Sequence, residues 1–426
     1  MHTIKKPLEN KNGILYIEGC STLEIAKEFD TPVYVYSENT IRENYRRAFN
    51  AFKSVYPKFK LFYAIKANNN LAILKIIKQE GAGFDASCPA EIELALKAGA
   101  KPDEILYSGV NHRNEELEFA LKKKVMINLE AISQIKRLLK IGTPDFISFR
   151  INPGISGGSI KGLVFAGADA KFGIPEEHVL EAYTIAKEAG IKRFGMHMMT
   201  GSCVMDSEYF AAAASKLLDI AAMISKKLGI EFEIIDIGGG LGVTYREGEK
   251  DLDLEEAARK VANVFFKKAK QLGNPALMIE PGRFIVCESG ILLTKVHSIK
   301  DAKKRFIGVD AGMNNLLRPM LYDAYHKIVI ANKLNGKETE KVNVAGPICE
   351  NTDQLAKDRM LPHIEEGDVL AVLNAGAYGF AMGSQYNSRP MCAEVLCNFG
   401  KAELIRKRET AADLYRNVMV PKRLEK

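Results

Sequence analysis

The feature of this sequence that most limits its fold is an alternation of short apolar runs with longer amphipathic stretches, beginning near residue 33. This alternation predicts β-α units around a parallel sheet. Nine runs are strand candidates: 32–36, 61–67, 83–87, 104–109, 125–128, 146–153, 194–200, 232–240 and 278–283. Helical spacing covers 89–99, 115–123, 130–140, 176–189, 206–228 and 254–272. Roughly eight such units in ~250 residues predict an α/β barrel of the TIM type.

After residue 284 the pattern changes to β-branched segments at short spacing, such as RFIGVDAG, HKIVIANK and EKVNVAG. Segments of this kind are typical of an all-β domain. The opening run GILYIEG has the same character. We therefore predict a barrel over residues 36–284, inserted in an all-β sandwich or barrel domain that residues 1–35 and 285–426 form. Two domains also suit a chain of 426 residues.

Charge and cysteine content exclude several classes of function. The net charge of +7 is spread over the whole chain, which argues against a nucleic-acid surface and leaves either an attraction for small anions or a plain solvated surface. No apolar run approaches the ~18 residues that span a bilayer, so we expect a cytoplasmic protein without membrane contact. Seven cysteines without a CxxC pair predict neither a disulfide framework nor a metal site.

Lys66 lies in the apolar run LFYAIKA, where a charged side chain is unusual. A lysine there can extend along the strand to reach water. Alternatively, loss of solvent and fixed neighbours make its amine nucleophilic, as in lysines that bond covalently to carbonyl cofactors. The strand alone does not decide between the two.

Three consecutive glycines, Gly238, Gly239 and Gly240, follow the apolar run FEIID after one isoleucine. Glycines at such a place let backbone N–H groups close on an anion. The sequence has neither the GxxxxGK[ST] spacing of a nucleotide loop nor a GxGxxG opening a helix near its start. If the loop binds a phosphate, we expect it to be a non-nucleotide one.

Further polar residues follow the next predicted strand and mark two clusters in the all-β domain. Glu280 and Arg283 flank a Pro-Gly turn, where they form either a salt-bridged corner or, with the carboxylate beside a pyridine nitrogen, part of a cofactor site. The segments 309–326 and 345–353 contain Arg318, Tyr322, Cys349 and Glu350. Structural roles remain the alternative for each residue taken singly.

Together these segments resemble the fold-type III, alanine-racemase-like decarboxylases, over nearly the whole chain. YAIKAN is similar to the segment in which that family's lysine carries pyridoxal 5'-phosphate, which makes Lys66 the cofactor lysine. GFDASCPAEI places Asp85 near it. GGG matches the phosphate loop, with Ser202 as a helper, and EPGR matches the segment in which Glu280 pairs with the pyridine nitrogen and Arg283 contacts the substrate.

The resemblance also implies roles for the all-β domain. Arg318 and Tyr322 of RPMLY would hold the substrate's distal carboxylate, and Tyr378 would contact the phosphate and the substrate. In this family the residues matching Cys349 and Glu350 reach across a homodimer interface, so each active site would be shared. Cys349 would then be the proton donor, and Glu350 would face the distal amino group.

The chain departs from the family at three places. The family's HxHxGS segment has here His197 and Ser202, but Met199 replaces the second histidine, whose imidazole stacks on the cofactor. The loop 154–170 lacks the usual histidine and Thr-Gly, and CENTD replaces CESGD. A thioether still packs against an aromatic face but carries no charge. The departures lie around the cofactor and the substrate's α-carboxylate.

The resemblance implies decarboxylation of an amino acid, with meso-diaminopimelate converted to L-lysine as the first expectation. Ornithine, arginine or another carboxylate-bearing amino acid are alternatives, although Arg318 argues against a plain diamine substrate, whose ammonium would then face a guanidinium. A racemase is disfavoured because no residue resembles its tyrosine base. A non-catalytic cofactor carrier is a single barrel, whereas this chain continues into a second domain.

Overall fold

The computed structural model of the chain describes residues 5–155, 157–158, 166–167 and 169–425. Backbone contacts divide it into two compact units. One unit spans Ile41–Val286, and the other is formed by the chain up to Thr40 together with the chain from Cys287 onward.

The first unit is a closed barrel of eight parallel strands. In chain order they are β1 (Phe59–Ala64), β2 (Gly83–Ala86), β3 (Ile105–Tyr107), β4 (Met126–Leu129), β5 (Phe146–Asn152), β6 (Arg193–Met198), β7 (Phe232–Asp236) and β8 (Ala276–Ile279). Each strand pairs with the next along the chain, and β8 pairs with β1 to close the barrel. The predicted TIM-type fold is confirmed.

Helices connect successive strands of the barrel. They span Leu71–Gln79, Pro89–Ala98, Asn114–Lys123, Ile132–Ile141, Glu176–Glu188, Ser207–Leu228 and Leu254–Lys268, and a further helix, Glu38–Lys53, precedes β1. The predicted helix 254–272 instead ends at Lys268 and continues as a 3-10 turn, Ala269–Leu272. Side chains of Asn70, Asp206 and Asp253 accept backbone N–H groups at three helix starts, which satisfies donors left free by the first turn.

The barrel interior is filled by large apolar side chains that alternate with glycine. Phe62 of β1 and Phe146 of β5 belong to this interior cluster. A Cβ at Gly83 would lie 2.4 Å from the Phe62 ring, and one at Gly195 would lie 2.6 Å from the Phe146 ring. Glycine is therefore required on β2 and β6 because the neighbouring phenylalanine occupies the space of a side chain.

The second unit is rich in β-strands. They span Val33–Ser37, Gly290–Asp301, Arg305–Val309, Ile328–Ile330, Glu340–Ala345, Gln354–Leu361, Val369–Val372, Ala393–Asn398 and Lys401–Arg406. Short strands Leu8–Lys11, Ile14–Ile17 and Cys20–Ser21 form a separate sheet at the start of the chain. This sheet contacts the rest of the unit: the N–H of Leu15 donates to the carbonyl of Ala331 at 2.8 Å.

One strand candidate of the β-α series lies outside the barrel. The run 32–36 opens that series, although the predicted domain bounds give residues up to 35 to the all-β domain, and Val33–Ser37 pairs with Gly290–Asp301 and Ala393–Asn398 in the second unit. All five of its residues are buried. A strand buried on both faces shows the same continuous apolar pattern in a barrel and in the middle of a mixed sheet, so periodicity does not distinguish them.

Among the residues described, no helix combines the length and the apolar character needed to cross a membrane.

Candidate active site

Six polar residues lie at or just beyond the carboxyl ends of the barrel strands, the rim where parallel barrels build their sites. They are Lys66, Asp85, Asn128, His197, Asp236 and Glu280. All but Lys66 are buried. The barrel therefore concentrates charged and hydrogen-bonding groups at one end of an otherwise apolar interior.

Lys66 lies beyond the end of β1 and not within the strand. The strand ends at Ala64, and a 3-10 turn, Ile65–Ala67, carries the lysine onto the rim. Its side chain is 45% exposed, so the lysine reaches solvent from a turn that follows the strand, and the strand predicted over 61–67 is shorter than expected. The run LFYAIKA is apolar because Ile65 and Ala67 are buried around a turn that directs the amine toward solvent.

The Lys66 amine forms an ion pair with the carboxylate of Asp85 at the end of β2. The two strands are adjacent, and Ala64 is the register partner of Asp85. Burial raises the pKa of Asp85 to about 7, and the negative charge of Glu280 adds to this, while Lys66 opposes it. The ion pair with Asp85 therefore fixes the position of the Lys66 amine at the rim of the barrel.

Glu280 follows β8 and accepts a hydrogen bond from His197 on β6, with 3.2 Å between Nε2 and Oε2. The Asn128 amide donates to the other nitrogen of the same imidazole, Nδ1, at 3.1 Å, and to Ser108 Oγ at 2.8 Å. This pattern assigns the His197 proton to Nε2. Burial lowers the pKa of His197, so a neutral imidazole N–H stabilises the carboxylate.

Burial alone would raise the pKa of Glu280, but its neighbours reverse the direction. The His197 hydrogen bond and the positive charge of Lys66 hold the pKa below the usual value. Glu280 is therefore a buried carboxylate that stays ionised at neutral pH. In the structure Glu280 bonds to His197, and Arg283 donates to the hydroxyl of Tyr245.

The three glycines after β7 form a turn without room for side chains. Gly238 and Gly240 have φ values of 73° and 102°, which favour glycine. A Cβ at Gly238 would lie 2.3 Å from the carbonyl oxygen of Met198, and one at Gly239 would lie 2.5 Å from that of Glu280. The turn therefore has the close backbone packing expected of an anion cradle.

Met199, Ser202 and Arg283 lie around this turn. The Met199 thioether accepts the N–H of Gly239, with 3.3 Å between nitrogen and sulfur. Arg283 donates to Ser202 Oγ at 3.3 Å and to the hydroxyl of Tyr245 at 2.7 Å. The departure at Met199 thus brings a sulfur, and not an imidazole, against the glycine turn. The altered loop 154–170 lies for the most part outside the described residues.

The other five predicted site residues belong to the second unit, where Arg318 and Tyr322 begin and end a short helix. Arg318 is 2% exposed, and its Nη1 lies 2.7 Å from Nε2 of His326. His326 is also buried, and its Nδ1 donates to the carbonyl of Leu373 at 2.9 Å. The histidine therefore accepts from Arg318 and fixes its direction, while Tyr322 is half-buried.

Cys349 and Glu350 are exposed and lie on a tight turn built around Asp353. The Asp353 carboxylate accepts the N–H groups of Met313 at 2.5 Å and Ile348 at 2.8 Å. Asn387 donates to the Cys349 sulfur at 2.8 Å. CENTD keeps the aspartate of CESGD, and that aspartate ties the turn to the segment that precedes Arg318.

Tyr378 is half-buried in the second unit and has a φ of 56°, a conformation that is uncommon for a tyrosine. Several further site residues escaped the sequence analysis. Asn128 and Asp236 lie in predicted strands, where only their place near the strand ends marked them, and Tyr245 lies between two predicted elements. His326 closes the RPMLYDAYH segment, and its burial was the missing information.

The barrel and its rim define a pyridoxal-dependent decarboxylase. A family profile described as "Pyridoxal-dependent decarboxylase, pyridoxal binding domain" matches residues 42–287. Diaminopimelate decarboxylase of Methanothermobacter thermautotrophicus is 47% identical over 98% of each chain, and that of Archaeoglobus fulgidus is 39% identical over 96% of this chain and 98% of the relative. The chain belongs to the diaminopimelate decarboxylase family.

Solved structures agree with this assignment. Diaminopimelate decarboxylase from M. jannaschii, crystallised in co-complex with L-lysine, is 33% identical and covers 98% of each chain with a TM-score of 0.90. Pyridoxal phosphate is the cofactor of this chain. The residues present fit it, since the rim combines an amine with a buried carboxylate and with a glycine turn in which no Cβ has room.

Proposed function

We propose that this chain removes CO2 from meso-diaminopimelate and releases L-lysine, in the cytoplasm and as a homodimer. The substrate assignment rests on Arg318. Its guanidinium is buried and bonded to His326, in the segment expected to bind a distal carboxylate. A desolvated cation in such a position favours a substrate with a second carboxylate. The relative solved with L-lysine contains the expected product.

The barrel residues have distinct proposed roles. Lys66 carries the cofactor, Asp85 holds the lysine, and Glu280 accepts a hydrogen bond from the protonated ring nitrogen. The turn Gly238–Gly240 and Ser202 receive the phosphate. Bound pyridoxal phosphate supplies an electron sink for the pair left at the α-carbon when CO2 departs. An ionised Glu280 keeps the ring nitrogen protonated, which that sink requires.

The residues of the second unit receive the remaining roles. Arg318 and Tyr322 bind the distal carboxylate, Glu350 faces the distal amino group, and Cys349 donates the proton that replaces CO2 on the α-carbon. Arg283 and Tyr378 complete the substrate contacts. Because L-lysine retains the L-centre of the meso substrate, CO2 leaves from the D-centre. The exposure of Cys349 and Glu350 supports a role toward a second chain.

Release of CO2 from a panel of amino acids tests the substrate. We expect meso-diaminopimelate to give CO2 and L-lysine in equal amounts, and L-lysine, L-ornithine and L-arginine to be slower by at least about 100-fold in kcat/KM, because they leave the distal cation unpaired. Chiral chromatography of the product checks the stereochemistry. Decarboxylation of another amino acid with no activity on diaminopimelate would reject the substrate and keep the reaction class.

Subunit mixing tests the shared site. Lys66→Ala and Cys349→Ala proteins are each expected to be inactive, and a mixture with random exchange should regain up to about a quarter of the sites, since half the dimers are hybrids with one intact site each. CO2 release is measured before and after exchange, with exchange followed by native mass spectrometry. Exchange without recovered activity would contradict shared sites, and a strictly monomeric protein would contradict the dimer.

A further inference from the structure

Asp236 is a buried carboxyl group to which none of the roles above applies. It ends β7, is 1% exposed, and its Oδ1 accepts the N–H of Gly238 at 2.8 Å. Its second oxygen, Oδ2, is fully buried and receives no hydrogen bond from the residues that the structure describes. A buried carboxyl oxygen without a donor is costly. Something must therefore satisfy Oδ2.

Glu280, just beyond the end of the adjacent strand β8, also has a buried oxygen without a donor among the residues described. Its Oε2 accepts from His197, whereas its Oε1 is buried and without a donor among the described residues. Oxygens of Asp236 and Glu280 and a ring nitrogen of His197 all lie within 4.8 Å of one another. The two carboxyl groups interact through a side-chain hydrogen bond, which requires a proton on one of them, whereas two ionised carboxyls so close would repel each other.

The surroundings decide which carboxyl carries the proton. The His197 N–H and the charge of Lys66 stabilise the ionised form of Glu280. Burial and the negative charge of Glu280 raise the pKa of Asp236 well above its usual value. The titratable and charged groups that act on this pair are His197, Asp85, Lys66 and Arg150. The proton therefore belongs on Asp236.

We propose that Asp236 is a protonated positioning residue whose Oδ2–H donates to Oε1 of Glu280 while its Oδ1 holds the N–H of Gly238. One side chain thereby fixes both the carboxylate for the cofactor's ring nitrogen and the glycine turn for its phosphate. Because Asp236 is neutral, it orients Glu280 without adding a second negative charge. The role toward the cofactor rests on the proposed function of Glu280, whereas the proton on Asp236 does not.

The first test uses the full chain without cofactor and compares wild type with Asp236→Asn. The amide keeps both hydrogen bonds but cannot ionise. A group whose pKa is raised by folding contributes stability below its unfolded pKa and loses it as pH rises. Above pH about 4 the unfolding equilibrium constant of wild type should therefore rise relative to that of the variant, by up to about tenfold per pH unit.

Urea unfolding between pH 5 and 8.5 measures this ratio, and Asp219→Asn is the matched control. Asp219 is an exposed aspartate of the same unit, paired with Lys268. We expect the unfolding equilibrium constant of wild type, divided by that of Asp219→Asn, to stay constant with pH. The same constant divided by that of Asp236→Asn should rise with pH. A flat ratio for Asp236→Asn would overturn the protonated carboxyl, whatever the substrate of the protein is.

The second test measures the affinity for pyridoxal phosphate by equilibrium titration. Asp236→Asn should bind within about 3-fold of wild type, because it keeps the donor to Glu280 and the acceptor for Gly238. Asp236→Leu removes both and should weaken binding by about 10- to 100-fold. If Asp236→Leu does not fold, the amide variant and its pH profile still test the proposal. Equal losses for asparagine and leucine would overturn it.

Discussion

Replacing Lys66 with alanine is expected to lower kcat for CO2 release by more than about 10,000-fold, the largest effect of any single substitution in this chain. The reason is positional: the 3-10 turn after β1 places this amine on the rim beside Asp85. Borohydride reduction of the wild type should add the cofactor's mass to the peptide that contains Lys66. The alanine variant should show no such adduct at that peptide.

Lys60→Ala is the matched control, because Lys60 lies on the same strand near its opposite end, in register with Met278. That end of β1 is distant from the rim, and we expect activity within about 3-fold of wild type. Normal activity of Lys66→Ala, or an adduct on another lysine, would contradict the cofactor assignment.

The barrel could be predicted because its strands and helices follow local periodicity. Each β-α unit can be recognised from the pattern of about 30 consecutive residues, and the composition of the glycine turn and of the EPGR segment marks strand ends. The run 32–36 was listed with the β-α series, although the domain bounds placed nearly all of it in the all-β domain, because burial on both faces gives one pattern for two different sheets. Lys66 was misplaced for a related reason: a buried 3-10 turn is as apolar as the strand it follows.

The bonds that join His197 to its neighbours could not be predicted from local pattern, since they link residues far apart in the chain. Asn128 meets His197 across 69 positions and His197 meets Glu280 across 83, so only closure of the barrel brings them together. Asp236 showed no signal in the sequence beyond its place before the glycines. Its significance depends on a missing donor, a property of packing that no local pattern contains.

In the second unit, the structure shows which of the candidate polar residues are buried, and the sequence alone could not. RPMLY marked Arg318 as a candidate, but a surface arginine and a buried one have the same sequence context. The structure places it at 2% exposure with His326 as its acceptor. The same holds for Asp353, whose carboxylate organises the Cys349 turn through backbone N–H groups that no sequence pattern specifies.

Arg318→Met should therefore cost at least about 30-fold in kcat/KM on meso-diaminopimelate, corresponding to roughly 2–5 kcal/mol for a desolvated charge pair that loses one partner. The loss on L-lysine or L-ornithine should be much smaller, because these substrates have no distal carboxylate to bind. The ratio of the two losses, measured by steady-state CO2 release, is the quantity that reports the role of the guanidinium.

Two controls separate this role from damage to the fold. Arg318→Met removes the buried hydrogen bond from Arg318 to Nε2 of His326, a change that costs about 1–3 kcal/mol of stability, so thermal unfolding and cofactor affinity are measured on the same protein. Arg416→Met removes an arginine whose side chain is 70% exposed and should change kcat/KM by less than about 5-fold. Equal losses on diaminopimelate and lysine would show that Arg318 supports the fold and not the substrate. A loss confined to diaminopimelate, in a variant that is still folded and binds the cofactor at the assay temperature, requires that the buried cation meets the second carboxylate.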